Sequence, residues 1–380
     1  MKIGIMTMQR IRNYGSFLQA YGLKKIIEKM GHEVVFVDYM EEAPVEELRT
    51  FHATKAYRLM KKIKRKAKIG VNKVRFLFKT EESEFSSFIK KFEKEYIPEL
   101  GITKSKNYRT KVDVLVIGSD EVFNCTQGEG VGFAKELFGE NNQAGKVISY
   151  AASFGNTTIE KLENHKIRDE VAGLLNNFST ISVRDRNSYE IVKELTKKAP
   201  LIHLDPVLIY DFSKEVVSSV REKDYIIVYA YNGRISEEEG KVIRDFADAK
   251  KKKIISISGK QPFCDQYIYC RPLEMLAYFK NASYVITDTF HGTIFSVINH
   301  KKFVTLVRTD GENTKGYGNQ EKLGYLLEKL ELEDRRLDDI CQLSQIMEKG
   351  INYDNVDGII EHERKRTIDY LQENLTVTGE

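Results

Sequence analysis

The chain has 380 residues, 41% hydrophobic and 31% charged, so it can bury more than one core, and at this length two domains are expected. Sixty basic against 56 acidic residues leave a net charge of +4, which argues against an obligatory polyanionic partner and makes nucleic acid an unfavoured one. The four cysteines form no CxxC pair and the seven histidines no ligand cluster, so reduced thiols are expected and no metal is assigned.

The N-terminal MKIGIMTMQR reaches an arginine after an apolar run too short for a signal peptide. No apolar run approaches the roughly 18 residues of a membrane-spanning helix, so a soluble, cytoplasmic protein is expected. Ile3 to Met8 reads as a strand buried on both faces. In NYGSFLQAYGLKKIIEKMG, residues Phe17, Leu18, Tyr21, Ile26 and Ile27 recur at helical spacing, and Gly31 stands where a C-cap belongs. HEVVFVDY is a second strand, completing a βαβ unit. Residues 42–110 interrupt the rhythm with a helical, charge-rich insertion. Within it, KAYRLMKKIKRKAKIGVNKVRFLF (55–78) carries ten lysines and arginines. This segment is either a solvated helix face or a cationic surface for peripheral contact with anionic lipid.

Alternation resumes with VDVLVIGSD (112–120), KVISYAAS (146–153), a helix over 158–177, STISVRD (179–185) and LIHLDP (201–206). A second series begins at DYIIVYAY (224–231). It continues through a helix over 235–250, KIISIS, a helix from Pro272, the strand SYVITD, the helix TIFSVIN and FVTLV. Helices are predicted over 319–330 and 358–374, the last packing back across the domains. The pattern predicts an α/β protein of two Rossmann-like domains facing across a cleft, residues 1–206 and 207–380.

Ligands of open α/β sheets bind beyond the carboxyl ends of the strands. Here those ends carry Asn13, Tyr14 and Gly15, then Gly118–Glu121, Arg184, Asp205 and Asp288–Thr293. In TDTFHGT, a helix start would offer free N–H groups and a positive dipole end to an anion. Gly292 would allow close approach, and His291 either moves a proton or simply caps the helix. Arg184 either grips a phosphate or carboxylate or forms a salt bridge to Asp185 or Glu190. Asp120 is a base, a hydroxyl-binding group or an N-cap. QGEGVGF (127–133) lacks the GxGxxG spacing and is discounted.

Taken in order, KIGIMTMQRIRNYGSFLQ, VDVLVIGSDEVFN, KVISYAASFG, ISVRDRNS, LDPVLI, SYVITDTFHGTIFSVINHKKF and LGYLLEKLELEDR resemble the polysaccharide pyruvyl transferase family. Glu121 and Phe123 replace a glutamine and a tryptophan usual in that family. The resemblance implies a GT-B-like fold, no cofactor or metal, and phosphoenolpyruvate as co-substrate. It further implies transfer of the enolpyruvyl-derived group to two hydroxyls of a cell-envelope or capsular saccharide, often lipid-linked, forming a ketal and releasing phosphate. By that resemblance His291 is the acid–base group, Arg184 binds the donor, and Asp120 and Asp205 shape the site. Thr289, Gly292, Thr293, Arg308 and Lys315 are further donor contacts, and Asn13, Tyr14, Gly15 and Asp288 lie toward the acceptor. Several members carry Arg-Leu-His where this chain has Thr289-Phe290-His291. Either Arg308 or Lys315 replaces that arginine, or the donor differs. Two other readings stay open: a glycosyltransferase using a nucleotide sugar, and a non-enzymatic module binding saccharide or nucleic acid.

Overall fold

The computed structural model describes residues 1–45, 80–128, 130–216, 220–308 and 320–376. The basic segment 55–78 and Lys315 lie outside them.

The first sheet contains β1 (Lys2–Met6), β2 (Glu33–Phe36), β3 (Val112–Ile117) and β4 (Ala144–Ser149) in the order β2-β1-β3-β4. Parallel bridges Ile148–Thr180 and Ala152–Val183 extend it to β5 (Ser182–Val183) and β6 (Leu201–Ile202). The second sheet contains β7 (Ile226–Tyr229), β8 (Ile254–Ile257), β9 (Gln266–Ile268), β10 (Tyr284–Thr287), β11 (Lys302–Leu306) and β12 (Arg336–Leu337). Its order is β12-β11-β10-β7-β8-β9. Among the described residues every strand pairing in both sheets is parallel.

The unbroken apolar runs follow from burial on both faces. In β3, Val114 and Val116 join a core shared with the second domain, while Leu115 and Ile117 face a separate core on the opposite side. In β7 the same alternation sends Ile227 and Tyr229 to the shared core and Ile226 and Val228 to the far one. The shared core runs from Phe17 through Leu208 to Phe295, so one continuous apolar layer joins the domains.

The helix Tyr353–Asn374 crosses back to the first sheet. Tyr370 donates to the Ser149 carbonyl at 2.6 Å, and the hydroxyls of Tyr150 and Thr367 meet at 3.2 Å. The helix expected over 158–177 is two helices, Ile159–Asn164 and Arg168–Leu175, because Lys166 turns the chain at a φ of +55°. No helix among the described residues is long and apolar enough to cross a membrane.

The strand orders locate the site. In each sheet the order reverses at one point, between β1 and β3 in the first and between β7 and β10 in the second, and ligands bind at such reversals. Both carboxyl edges open onto one cleft of about 260 Å³, lined by Met8 and Asp120 from one side and by Tyr229, Tyr231 and His291 from the other.

Candidate active site

The second-domain wall is the start of the helix Phe290–Ile298. Thr289 is its N-cap, accepting from the Gly292 N–H at 2.9 Å, while the Thr293 N–H donates to the Thr289 carbonyl at 3.1 Å. The expectation that Gly292 and Thr293 offer free N–H groups to an anion is therefore corrected: both donors are engaged within the helix. Glycine is required at 292 for packing rather than for a ligand. A Cβ there would fall 2.1 Å from the Thr287 hydroxyl and 2.8 Å from the Tyr229 ring.

Asp288 lies fully buried behind this turn, with Arg234 Nη1 3.7 Å away, and does not line the cleft. Burial pushes its carboxyl up to about 6, against the pull of Arg234 and Arg308. Arg308, expected at the donor, reaches Glu239 through both terminal nitrogens, at 2.8 and 3.1 Å, and lines a different cleft.

His291 reaches across from this turn to the first domain, as the Phe290 ring beside it also does. Its Nε2 lies 3.6 Å from Asp205 Oδ2, an electrostatic contact longer than a hydrogen bond. Its Nδ1 lies over Gly15, where a Cβ would sit only 2.2 Å away. Glycine at the start of the helix Tyr14–Lys29 thus makes room for the imidazole.

The first-domain wall is a charged network. Asp120 follows β3 at a φ of +79°, a strained conformation for a residue with a side chain, and pairs in a parallel bridge with Ala152. Arg184, almost fully buried at the end of β5, donates to Asp205 at 2.6 Å and to Asp120 at 3.2 Å. The Phe290 ring covers it at 4.4 Å, from the opposite domain. Ser16 donates to Asp120 at 2.6 Å and Ser119 to Asp205 at 3.0 Å, so both carboxylates are held by hydroxyls as well. Asp205 also caps the helix that begins at Pro206. Burial would raise its carboxyl, but the His291 imidazole and the Arg184 guanidinium hold it down to about 2.

Sequence reasoning missed two cleft residues, Arg234 and Lys322, and gave Glu121, named at its strand end, no role. Glu121 accepts from Lys322 at 2.6 Å, a pairing between domains. Burial would raise Glu121, but the Lys322 ammonium and the Asn124 amide bring it down to about 2. Arg234, its guanidinium 4.4 Å from the Tyr231 ring centroid, brings a third cation to the cleft. Lys322 had no local mark, because it sits in the first turn of a helix among ordinary charges.

Asn13 lines the cleft but caps its own helix, accepting from the Ser16 N–H at 2.7 Å. Tyr14, expected toward the acceptor, turns instead into the core. Its hydroxyl donates to the Cys270 carbonyl at 3.1 Å and accepts from the Cys270 N–H at 3.3 Å, latching one domain to the other. Among the described residues, no group of three or more His, Cys, Asp or Glu is placed to hold a metal ion.

The sequence profile of the family described as polysaccharide pyruvyl transferase matches residues 13–310, which hold every cleft residue named above except Met8 and Lys322. The chain belongs to the polysaccharide pyruvyl transferase family. Membership makes it a transferase, and the cleft where His291, Asp205 and Arg184 meet is its candidate site. No curated protein matches the chain. Among solved structures, UDP-GlcNAc 2-epimerase from Neisseria meningitidis, bound to UDP-GlcNAc, is 11% identical with a TM-score of 0.50. That alignment covers 98% of this chain and 100% of the epimerase. The S. aureus MnaA–UDP co-structure is 10% identical with a TM-score of 0.49, covering 100% of this chain and 98% of that one. The two parallel sheets and the likeness to the Neisseria epimerase make the fold of this pyruvyl transferase family member GT-B-like: two Rossmann-like domains facing across a cleft.

Proposed function

We propose that this family member moves the enolpyruvyl-derived group of phosphoenolpyruvate onto two hydroxyls of a sugar in a cell-envelope or capsular polysaccharide precursor, forming a pyruvate ketal. The carrying observation is the His291–Asp205 contact, made across the domain boundary and beside the buried Arg184, whose partner Asp120 follows β3 at the first sheet's reversal as His291 follows β10 at the second's.

The reaction needs one proton delivered to the enol carbon and one removed from each attacking hydroxyl. Of the two protons released by the hydroxyls, one balances that delivered to carbon and the other leaves with phosphate. His291 suits this traffic. Asp205 backs Nε2 and would stabilise the imidazolium, while Nδ1 stands on the Gly15 side. Arg184, Arg234 and Lys322 bring positive charge to the carboxylate and phosphate, with Thr289 and Phe290 shaping the same wall. This replaces Arg308 with Arg234 and Lys322 as the cations taking the place of the motif arginine. Asp120, held between Ser16 and Arg184, is positioned to orient an acceptor hydroxyl.

Thermal unfolding with phosphoenolpyruvate and with a panel of nucleotide sugars tests the reading. A ligand at 100 times its Kd stabilises the fold by about 2.7 kcal/mol. Phosphoenolpyruvate should raise the Tm of both wild type and His291→Ala, while only wild type releases phosphate when acceptor is added. A shift with a nucleotide sugar and none with phosphoenolpyruvate would replace pyruvyl transfer by glycosyl transfer.

A further inference from the structure

Beside the catalytic cleft opens a second one, about 1050 Å³ in volume, and Lys322 lines both. Pockets for drug-sized ligands run to roughly 300–1,000 Å³. The catalytic cleft, at about 260 Å³, has room for a small anion and the hydroxyls it reacts with. The larger cleft has room for several sugar rings. It runs between the two domains, with the helix starts at Ile159 and Arg186 on one side and the helix Gln320–Lys329 on the other.

The chemistry of its walls narrows the ligand further. Asn164, Gln320 and Glu321 carry amide and carboxylate groups of the kind that bind sugar hydroxyls, and Tyr325 offers a half-buried ring. Its basic side chains are all engaged by the protein. Arg186 donates to Glu328 at 2.7 Å, Arg336 to Asp338 at 2.8 Å and Lys161 to the Asn156 carbonyl at 2.7 Å. Arg308 and Lys322 are held by Glu239 and Glu121. A polyanionic chain would have to break these contacts and approach four glutamates, Glu160, Glu321, Glu328 and Glu333. An uncharged chain meets hydroxyl-binding groups without disturbing any pair.

We propose that the larger cleft is the acceptor subsite and takes an uncharged oligosaccharide rather than a single sugar. The reacting sugar then passes the Lys322–Glu121 pair into the catalytic cleft. The assignment of chemistry to that end rests on the pyruvyl-transfer reading; the saccharide cleft itself does not. It moves the acceptor away from Tyr14, whose hydroxyl is already taken up by Cys270.

The test is retention on an immobilised panel of neutral and uronate-bearing glycans of one to six sugars, with the phosphoenolpyruvate thermal shift measured in parallel. Wild type should retain neutral glycans of two or more sugars, and Tyr325→Leu should weaken that retention at least tenfold while keeping the wild-type thermal shift. If Tyr325→Leu does not fold, Asn164→Trp serves, since residue 164 is exposed and the indole would obstruct the cleft. Retention of single sugars alone, of uronate-bearing glycans alone, or of none overturns the proposal, as does retention unchanged in both variants. Retention of neutral oligosaccharides without a phosphoenolpyruvate shift would keep the cleft and remove pyruvyl transfer. The reverse result would remove the cleft and keep the reaction.

Discussion

The two walls of the candidate cleft are built on opposite plans. The second-domain wall is local: Thr287, Thr289, Gly292 and Thr293 bond to one another within a few residues, and His291 and Phe290 are left to reach across. The first-domain wall is assembled from distant strand ends, with Arg184 bonded to residues 21 and 64 positions away. A motif rich in polar residues can be largely self-satisfied, while scattered ordinary residues can form the denser charge network. Polar side chains close in sequence satisfy one another first, because their geometry is set by the backbone they share.

The largest effect should come from breaking the distant network. Arg184→Met leaves Asp120 and Asp205 buried without their counter-charge and should cost about 3–5 kcal/mol in urea unfolding. An unchanged midpoint would mean the pairs contribute little to stability.

Asp288 sharpens the comparison on the local side, through pH. Its folded carboxyl, near 6, lies above the ordinary 3.8, so ionisation disfavours the folded state. That stability is fully present below about pH 4 and is lost as pH rises through 6. Asp288→Asn, always neutral, should unfold about 3 kcal/mol harder than wild type at pH 8, with the gap closing by pH 4. Glu121 and Asp205 run the other way, since their carboxyls near 2 lie below the ordinary values of 4.5 and 3.8. Their contribution stands at neutral pH and fades as pH falls from about 4 toward 2.

Gly15→Ala attacks the contact between the walls. The new methyl must displace the imidazole, with an overpacking cost of about 1–3 kcal/mol, partly offset by about 1 kcal/mol of better helix propensity. Phosphate release should fall about 100-fold, because misplacement of an acid–base group by an ångström has effects of that order. Full activity would separate His291 from the proton transfer.

The smallest effect belongs to the cap. Thr289→Ala should cost about 1 kcal/mol and Thr289→Ser almost nothing, as read by thermal unfolding. A loss of phosphoenolpyruvate binding in Thr289→Ala beyond that change would give the hydroxyl a donor contact in addition to its cap.

Much of the fold was legible from the sequence. Runs such as VDVLVI and YIIVY mark strands buried on both faces, and the helices between them follow from apolar spacing, while the caps at Asn13 and Thr289 were recognised only in the structure. The turn that presents His291 was marked in the same way, as a histidine placed between a buried strand and an apolar helix. The partners of that histidine were decided by the tertiary structure. Asp205 meets it because the carboxyl ends of two separate sheets open onto one cleft. Lys322 meets Glu121 across 201 residues, and Tyr14 meets Cys270 across 256. Backbone geometry dictates contacts within a helical turn, whereas charges this far apart pair only after strand order and domain packing have fixed which ends face each other.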